Sequence, residues 1–254
     1  MHAQPRRLSH RCARTAAAAA LLAATAGCAT GPDRNPADPF EPMNRATWRF
    51  NDAIDRGFAK PVARGYNRVV PKPLRTGVSN FFANLGDVTV MLNNFAQLRI
   101  MDGMSDLMRV AVNSTFGLLG VLDIATPAGI PKHDQDFGLT LGHYGVASGP
   151  YLVLPLFGPS TVRDAAGFGV DQFGAPASYA PPRTRNIAWG VNFVSTRARY
   201  LDATQLLEQA ALDEYLFVRD AYLGARQSRL DEDKPQALPD YEAEQRQGGG
   251  KPAQ

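Results

Sequence analysis

Between Asp136 and Arg163 the chain runs for 26 residues, FGLTLGHYGVASGPYLVLPLFGPSTV, without an aspartate, glutamate, lysine or arginine. That much uncharged chain is long enough for a helix to cross a bilayer. Five glycines (138, 142, 145, 149, 158) and three prolines (150, 155, 159) forbid such a helix. In a helix interior each proline costs about 3 kcal/mol and each glycine about 1 kcal/mol relative to alanine. Irregular backbone facing lipid leaves amides unpaired, so the segment must pack on protein or line a polar cavity. It reads as a long, glycine-jointed, apolar hairpin loop at a membrane interface. A second stretch, FGLLGVLDIATPAGIP from Phe116 to Pro131, has Asp123 as its only charge. Buried connections of an ordinary soluble domain would share this composition, and the amino terminus separates the two readings.

The first residues read as a targeting segment. A basic region, RRLSHRCAR, leads into the apolar run TAAAAALLAAT and then Thr25-Ala26-Gly27 before Cys28. Small residues followed by cysteine resemble the lipobox of bacterial lipoproteins, with Thr25 where leucine is commonest. The resemblance implies removal of residues 1–27 and acylation of Cys28. Cys12 leaves with the signal, so Cys28 has no partner for an intramolecular disulfide. At roughly 0.8 kcal/mol per buried CH₂, several acyl chains make a durable anchor. Ala29 follows, where aspartate would mark inner-membrane retention, so the pattern points to the outer membrane. Four of the 27 lysines and arginines precede Cys28 and no acid does, leaving 23 bases against 24 acids. A net charge of −1 offers no field for nucleic acid, and that class is excluded.

Residues 28–38 form a lipidated Gly/Pro/polar tether, and the polar, glycine-ended tail 231–254 reads as disordered. The folded body is a single domain over residues 39–230. Its strongest periodicity is helical. Met43, Phe50, Ile54 and Phe58 recur at sevens and fours, with Pro42 suited to a first turn. From Ser79, a plausible N-cap, Phe81, Leu85, Val88, Leu92 and Phe95 form one stripe, widened by Phe82, Met91 and Leu98. Met104, Leu107, Met108 and Ala111 continue the pattern. Asp202 and Gln205 suggest a capping box, followed by Leu207, Ala211, Tyr215, Val218 and Tyr222 on one face. The short run YLVLP (Tyr151–Pro155) has strand composition but no obvious partner. The expected class is all-α.

Chemistry is scarce. His133, Asp134, Asp136 and His143 cluster in sequence, but a ten-residue gap across two glycines matches no metal motif. His143 beside Tyr144 suits a hydrogen-bonded structural pair instead. Ser148 lies three residues after Gly145, so it does not form the G-x-S-x-G elbow of a hydrolase. No nucleotide or cofactor motif is present, and the expectation is a protein without catalytic residues, metal or cofactor.

Three stretches then carry a family resemblance: DPFEPMNRATWRFN, KPLRTGVSNFFANL and LGHYGVASGPYLVLPLFGPSTVRDAAG. They closely resemble the MlaA (VacJ) family of outer-membrane lipoproteins over about residues 38–225, with Ala147 standing where glycine is expected. The resemblance implies a ring-like bundle of amphipathic helices in the inner leaflet of the outer membrane, associated with a trimeric porin. It implies passage of mislocalised phospholipid from the outer leaflet to a periplasmic lipid carrier, maintaining lipid asymmetry. Gly145 and Gly149 are then hinges of a lid over the passage. Candidates to line it are Asn93, Asn94, Asn113, Leu118, Leu119, Tyr144 and Tyr151. A tether of porin or envelope without lipid conduction is the alternative, and a lipid hydrolase a third reading; uncharged glycine-rich segments are what a tether would not need.

Overall fold

The computed structural model describes residues 35–232. The segment read as a signal peptide, Cys28 and the tail beyond Glu232 lie outside the described residues. Among those described, helices dominate: α1 Glu41–Ile54, α2 Lys60–Val69, α3 Lys72–Ala96, α4 Ile100–Thr115, α5 Phe137–His143, α6 Val162–Gly174, α7 Pro182–Arg199, α8 Leu201–Ala210 and α9 Glu214–Glu232. The strands β1 (Tyr151–Leu154) and β2 (Gly158–Thr161) form one antiparallel hairpin.

α1 and α2 are one continuous helix joined by a π-helical turn, Asp55–Ala59. Pro61 lacks the amide that would bond to Gly57, and the helix widens there so that Lys60 N donates to Asp55 O. α3 begins seven residues before the expected cap. Pro71 ends the preceding chain and Pro73 sits in the first turn, where a missing amide costs nothing, so Ser79 lies inside the helix. Asp202 likewise makes no cap; it sits within the first turn of α8. The stripe from Leu207 to Tyr222 does not exist as one face, because α8 ends at Ala210 and α9 starts at Glu214.

The elements close on themselves. α1 passes through the π-turn into α2, which packs on α7; α7 packs on α3, α3 on α6, α6 on β2, and β1 returns to α1. This circuit is the ring expected from the family resemblance. α4 lies against α3, and α5 is wedged between α6, α9 and α3. The wedge needs close backbone contact: a Cβ on Gly167 would stand 2.4 Å from Gly138 N. Gly138 and Gly142 are therefore packing contacts inside α5, not joints of a loop. Asp136 caps α5 by accepting from Leu139 N at 2.8 Å.

The hairpin corrects the sequence reading of YLVLP. Tyr151 faces Thr161 and Leu154 faces Gly158. The glycine and proline of GPST hid this strand. Its partner is held from the other side by two asparagines seven apart on α1. Asn44 donates to Tyr151 O at 3.0 Å and accepts from Val153 N at 2.9 Å. Asn51 donates to Leu154 O at 2.9 Å and accepts from Leu156 N at 2.8 Å. Tyr151, Val153 and Tyr215 form a small buried cluster under Trp48, Tyr222 and Leu223.

Candidate functional site

α4 is turned inside out. Its buried residues are Gly103, Asp106, Arg109 and Asn113, three or four apart on one stripe. Ile100, Met101, Met104, Leu107 and Met108 are exposed, Met101 by 81%. α3 follows the same rule: its fully buried positions are Gly77, Asn84, Asp87, Asn93 and Asn94, while the expected apolar stripe is only partly covered and Leu92 is exposed. The surface beyond α4 is apolar too, through Phe116, Leu118, Leu119 and Leu122. Water would reject such a surface on this scale, whereas the boundary between head groups and acyl chains accepts it.

The polar interior is extensively but not completely paired: Asn84 Oδ1, Asn94 Oδ1, Gln97 Oε1 and Arg109 Nε have no hydrogen-bond partner among the described residues. Arg109, 1% exposed, donates to Ile130 O at 2.7 Å and to Thr126 Oγ1 at 3.2 Å, and lies 3.4 Å from Asp123. Asp87 faces Arg109 and, at 3.0 Å, Lys132. Asn94 donates to Asp106 at 2.6 Å, and His133 Nδ1 is 2.9 Å from the same carboxylate. Asp123 is held below its ordinary pKa: burial works against its charge, but hydrogen bonds from Thr126 and Asn113 outweigh it.

The asparagine candidates are interior groups. Asn93 donates to Asp171 at 2.8 Å and accepts from Thr140 Oγ1. Asn94 is fully buried. Asn113 Oδ1 accepts from Ile124 N at 2.8 Å and Ala125 N at 2.9 Å, so it ties down the loop that follows α4. That loop presents Leu118 and Leu119, 67% and 70% exposed, both in the left-handed region at φ 53° and 59°. Bulky residues held there cost about 1–3 kcal/mol each, and the surrounding bonds must over-determine them. Gly120 N to Asn113 O and Leu122 N to Gly117 O, both 2.8 Å, do so.

Tyr144 is exposed, and its hydroxyl donates to Ala96 O at 2.6 Å. It meets His143 edge to face at 5.2 Å between ring centroids. Tyr151 is a core residue, fully buried, with burial pushing its hydroxyl up to about 12. Buried side chains cannot line a passage in this state, which sets aside Tyr151 and the three asparagines as direct contacts. Gly145 and Gly149 both have left-handed backbone, φ 87° and 67°, flanking the turn into β1. The clustered His133, Asp134 and Asp136 diverge to separate partners: Asp106, Arg229 at 2.6 Å, and Arg226 at 2.8 Å.

Two cavities lie between members of the circuit. One, about 630 Å³, is lined by Phe82, Phe157, Phe168 and Trp189 together with Gln172, Arg185, Asn186 and Asn192. The other, about 390 Å³, is lined by Trp48, Tyr200 and Leu207 with Asn51, Asp55, Arg197 and Glu208. The hairpin turn contributes to both, with Phe157 lining the first and Gly158 and Pro159 the second. Each combines apolar walls with polar groups. Sequence reasoning missed nearly all of these lining residues, since α6 and α7 lack the strong periodicity that drew attention elsewhere.

Comparison with known proteins agrees with this architecture. The sequence model of the family described as "MlaA lipoprotein" matches residues 36–229. The "Intermembrane phospholipid transport system lipoprotein MlaA" of Escherichia coli (strain K12) is 38% identical over 226 residues, covering 85% of this chain and 89% of that one. The protein of the same name from Haemophilus influenzae is 34% identical over 243 residues, covering 87% and 94%. A solved structure, "Structural basis for maintenance of bacterial outer membrane lipid asymmetry", superposes with a TM-score of 0.68 at 35% identity, covering 78% of this chain and all of that one.

Proposed function

From the premise that the chain belongs to the MlaA lipoprotein family, we propose that it is an outer-membrane lipoprotein of a Gram-negative bacterium that conducts phospholipid. It takes mislocalised phospholipid from the outer leaflet and hands it to a periplasmic lipid carrier, maintaining lipid asymmetry without hydrolysing anything. Cys28 is its acylated anchor, and it sits in the inner leaflet beside a trimeric porin. The observation that carries this reading is the inverted polarity of α3 and α4, together with amphipathic cavities between the elements of the circuit.

The physics is that of a charged head group. Dragging it unpaired through hydrocarbon is very costly, whereas cavities with polar and apolar walls let head and chains travel together. Exposed Leu118, Leu119 and Tyr144 touch lipid at the entrance, while Asn93, Asn94 and Asn113 hold the framework behind them. Gly145 and Gly149 act as the hinges of the segment that joins α5 to the hairpin.

The test is a strain carrying Trp189→Glu and Phe168→Glu, which place charge in the larger cavity. Outer-leaflet phospholipid should accumulate while protein level and porin co-purification stay unchanged. Normal clearance with both variants abundant would leave the tethering role as the better account. For the hinges, alanine is a poor probe because both glycines are left-handed, a conformation costing other residues about 1–2 kcal/mol. Asparagine tolerates that region, so Gly145→Asn should keep lipid clearance and Gly145→Val should lose it.

A further inference from the structure

A third cavity, at the junction of α2, α3 and α7, has no part in the passage described above. It holds about 370 Å³ and is lined by Tyr66, Asn67, Lys72, Arg75, Ser79 and Arg199, among others, with no carboxylate in its wall. Arg75 is half-buried, while Lys72 and Arg199 are exposed at the mouth. None of the three has a carboxylate partner among the described residues. Two polar atoms here are closed off from solvent and unpaired: Arg75 Nε and the Tyr66 hydroxyl. The cations are nonetheless oriented. Arg75 Nη1 donates to Asn67 Oδ1, and Arg199 Nη1 donates to Ser79 Oγ at 3.2 Å.

Tyr66 also lines a second space, an apolar groove of about 770 Å³ formed by the same three helices through Leu74, Val78, Phe81, Ile187 and Val191. Val121 closes one side of it. Val121 belongs to the loop that exposes Leu118 and Leu119, so the groove adjoins the apolar surface next to α4.

We propose that pocket and groove together form a phospholipid subsite. An acyl chain lies in the groove, and the head-group phosphate is held by Lys72, Arg75 and Arg199. The inference rests on the lipid-passage reading and names where the head group is recognised. Guanidinium and ammonium groups bind phosphate through charge-assisted hydrogen bonds, and an unpaired buried donor is costly until a ligand accepts from it. Three cations without an acid select an anion, and the groove beside them selects one that carries a chain. An anionic phospholipid satisfies both.

The experiment uses the full-length acylated protein in detergent and a phosphatidylglycerol with a fluorescent acyl chain as the probe. The double variant Lys72→Gln/Arg199→Gln removes two exposed cations and should bind about tenfold more weakly or worse, since each phosphate bond lost is a charge-assisted one. Ile187→Asn should weaken binding by polarising the groove. Short-chain phosphatidylglycerol should displace the probe, whereas inorganic phosphate at the same concentration should not. Unchanged affinity in both variants, with normal binding by the parent, overturns the subsite and leaves the passage intact. Displacement by inorganic phosphate alone overturns it in favour of a plain anion site. Loss of a co-purified protein with lipid affinity unchanged overturns it in favour of a protein-docking face. A parent that binds no lipid overturns the passage as well.

Discussion

The helix pair α3–α4 and the hairpin with α9 are built for different surroundings. In the first region the fully buried side chains are asparagine, aspartate and arginine, and methionine and leucine stand outside. In the second, Tyr151, Val153 and Tyr215 form an apolar cluster, although Arg219 and Arg226 of α9 are buried beside it. The contrast accords with the proposed setting, in which one chain meets two solvents. Where the outside is hydrocarbon, exposing an apolar side chain costs nothing, so specificity inside must come from matched hydrogen bonds. Where the outside is water, apolar burial regains its usual value.

The comparison breaks most sharply at Arg109. Arg109→Met leaves Asp123 and part of Asp87 without their buried partner, and stability should fall by about 3–5 kcal/mol, measured by thermal unfolding in detergent. If it falls by less than the change at Tyr151, the polar interior is not what holds that region. Tyr151→Ala should cost about 3 kcal/mol by opening a cavity in the hairpin core. The hydroxyl of Tyr151 has no hydrogen-bond partner among the described residues, so Tyr151→Phe should stay within about 0.5 kcal/mol of the parent.

A third variant separates the two solvents directly. Met104→Glu/Met108→Glu lies on the exposed face of α4 and should change stability in detergent-free buffer by no more than about 0.5 kcal/mol. It should nonetheless abolish flotation with vesicles when the anchor is removed by Cys28→Ala, because the apolar area that enters the membrane is lost.

The smallest effect is in pH dependence where α5 joins the two regions. Asp164 is held below its ordinary value of 3.8: burial opposes its charge, but the Tyr222 hydroxyl and Arg226 outweigh it. Its stabilisation is present above the ordinary value and is lost as pH falls through the lower folded one. Asp171 has the opposite sign, since burial raises its pKa despite hydrogen bonds from Phe137 N and Asn93. Its charge disfavours the fold once pH rises through that raised value. Asp171→Asn should therefore steepen the net loss of stability on acidification, and Asp164→Asn should flatten it, both read from melting temperature against pH.

Much of the helical content was legible in sequence because a 3.6-residue period survives whichever face is buried. Which face that is was not legible. Phe81, Leu85 and Val88 mark α3 as a helix, but a periodic stripe carries no sign saying whether water or lipid lies beyond it. Asn93, Asn94 and Asn113 stood out for the right reason, polar groups among apolar ones, and serve as interior pegs. The hairpin escaped notice because GPST has no alternation; Asn44 and Asn51 supply the bonds that a third strand would normally give. Those two asparagines, seven apart on α1, were the available signal.

That pair has a consequence for crowding. On the proposed function, an anchored protein diffuses in two dimensions and meets copies of itself far more often than a free one would. A bare strand edge invites pairing with another chain. Here the outer edge of β1 is already occupied: Asn44 and Asn51 hold Tyr151 O, Val153 N, Leu154 O and Leu156 N, and Ala37 O accepts from Tyr151 N. Along β1 the hairpin closes the circuit without offering neighbouring molecules a seam to extend.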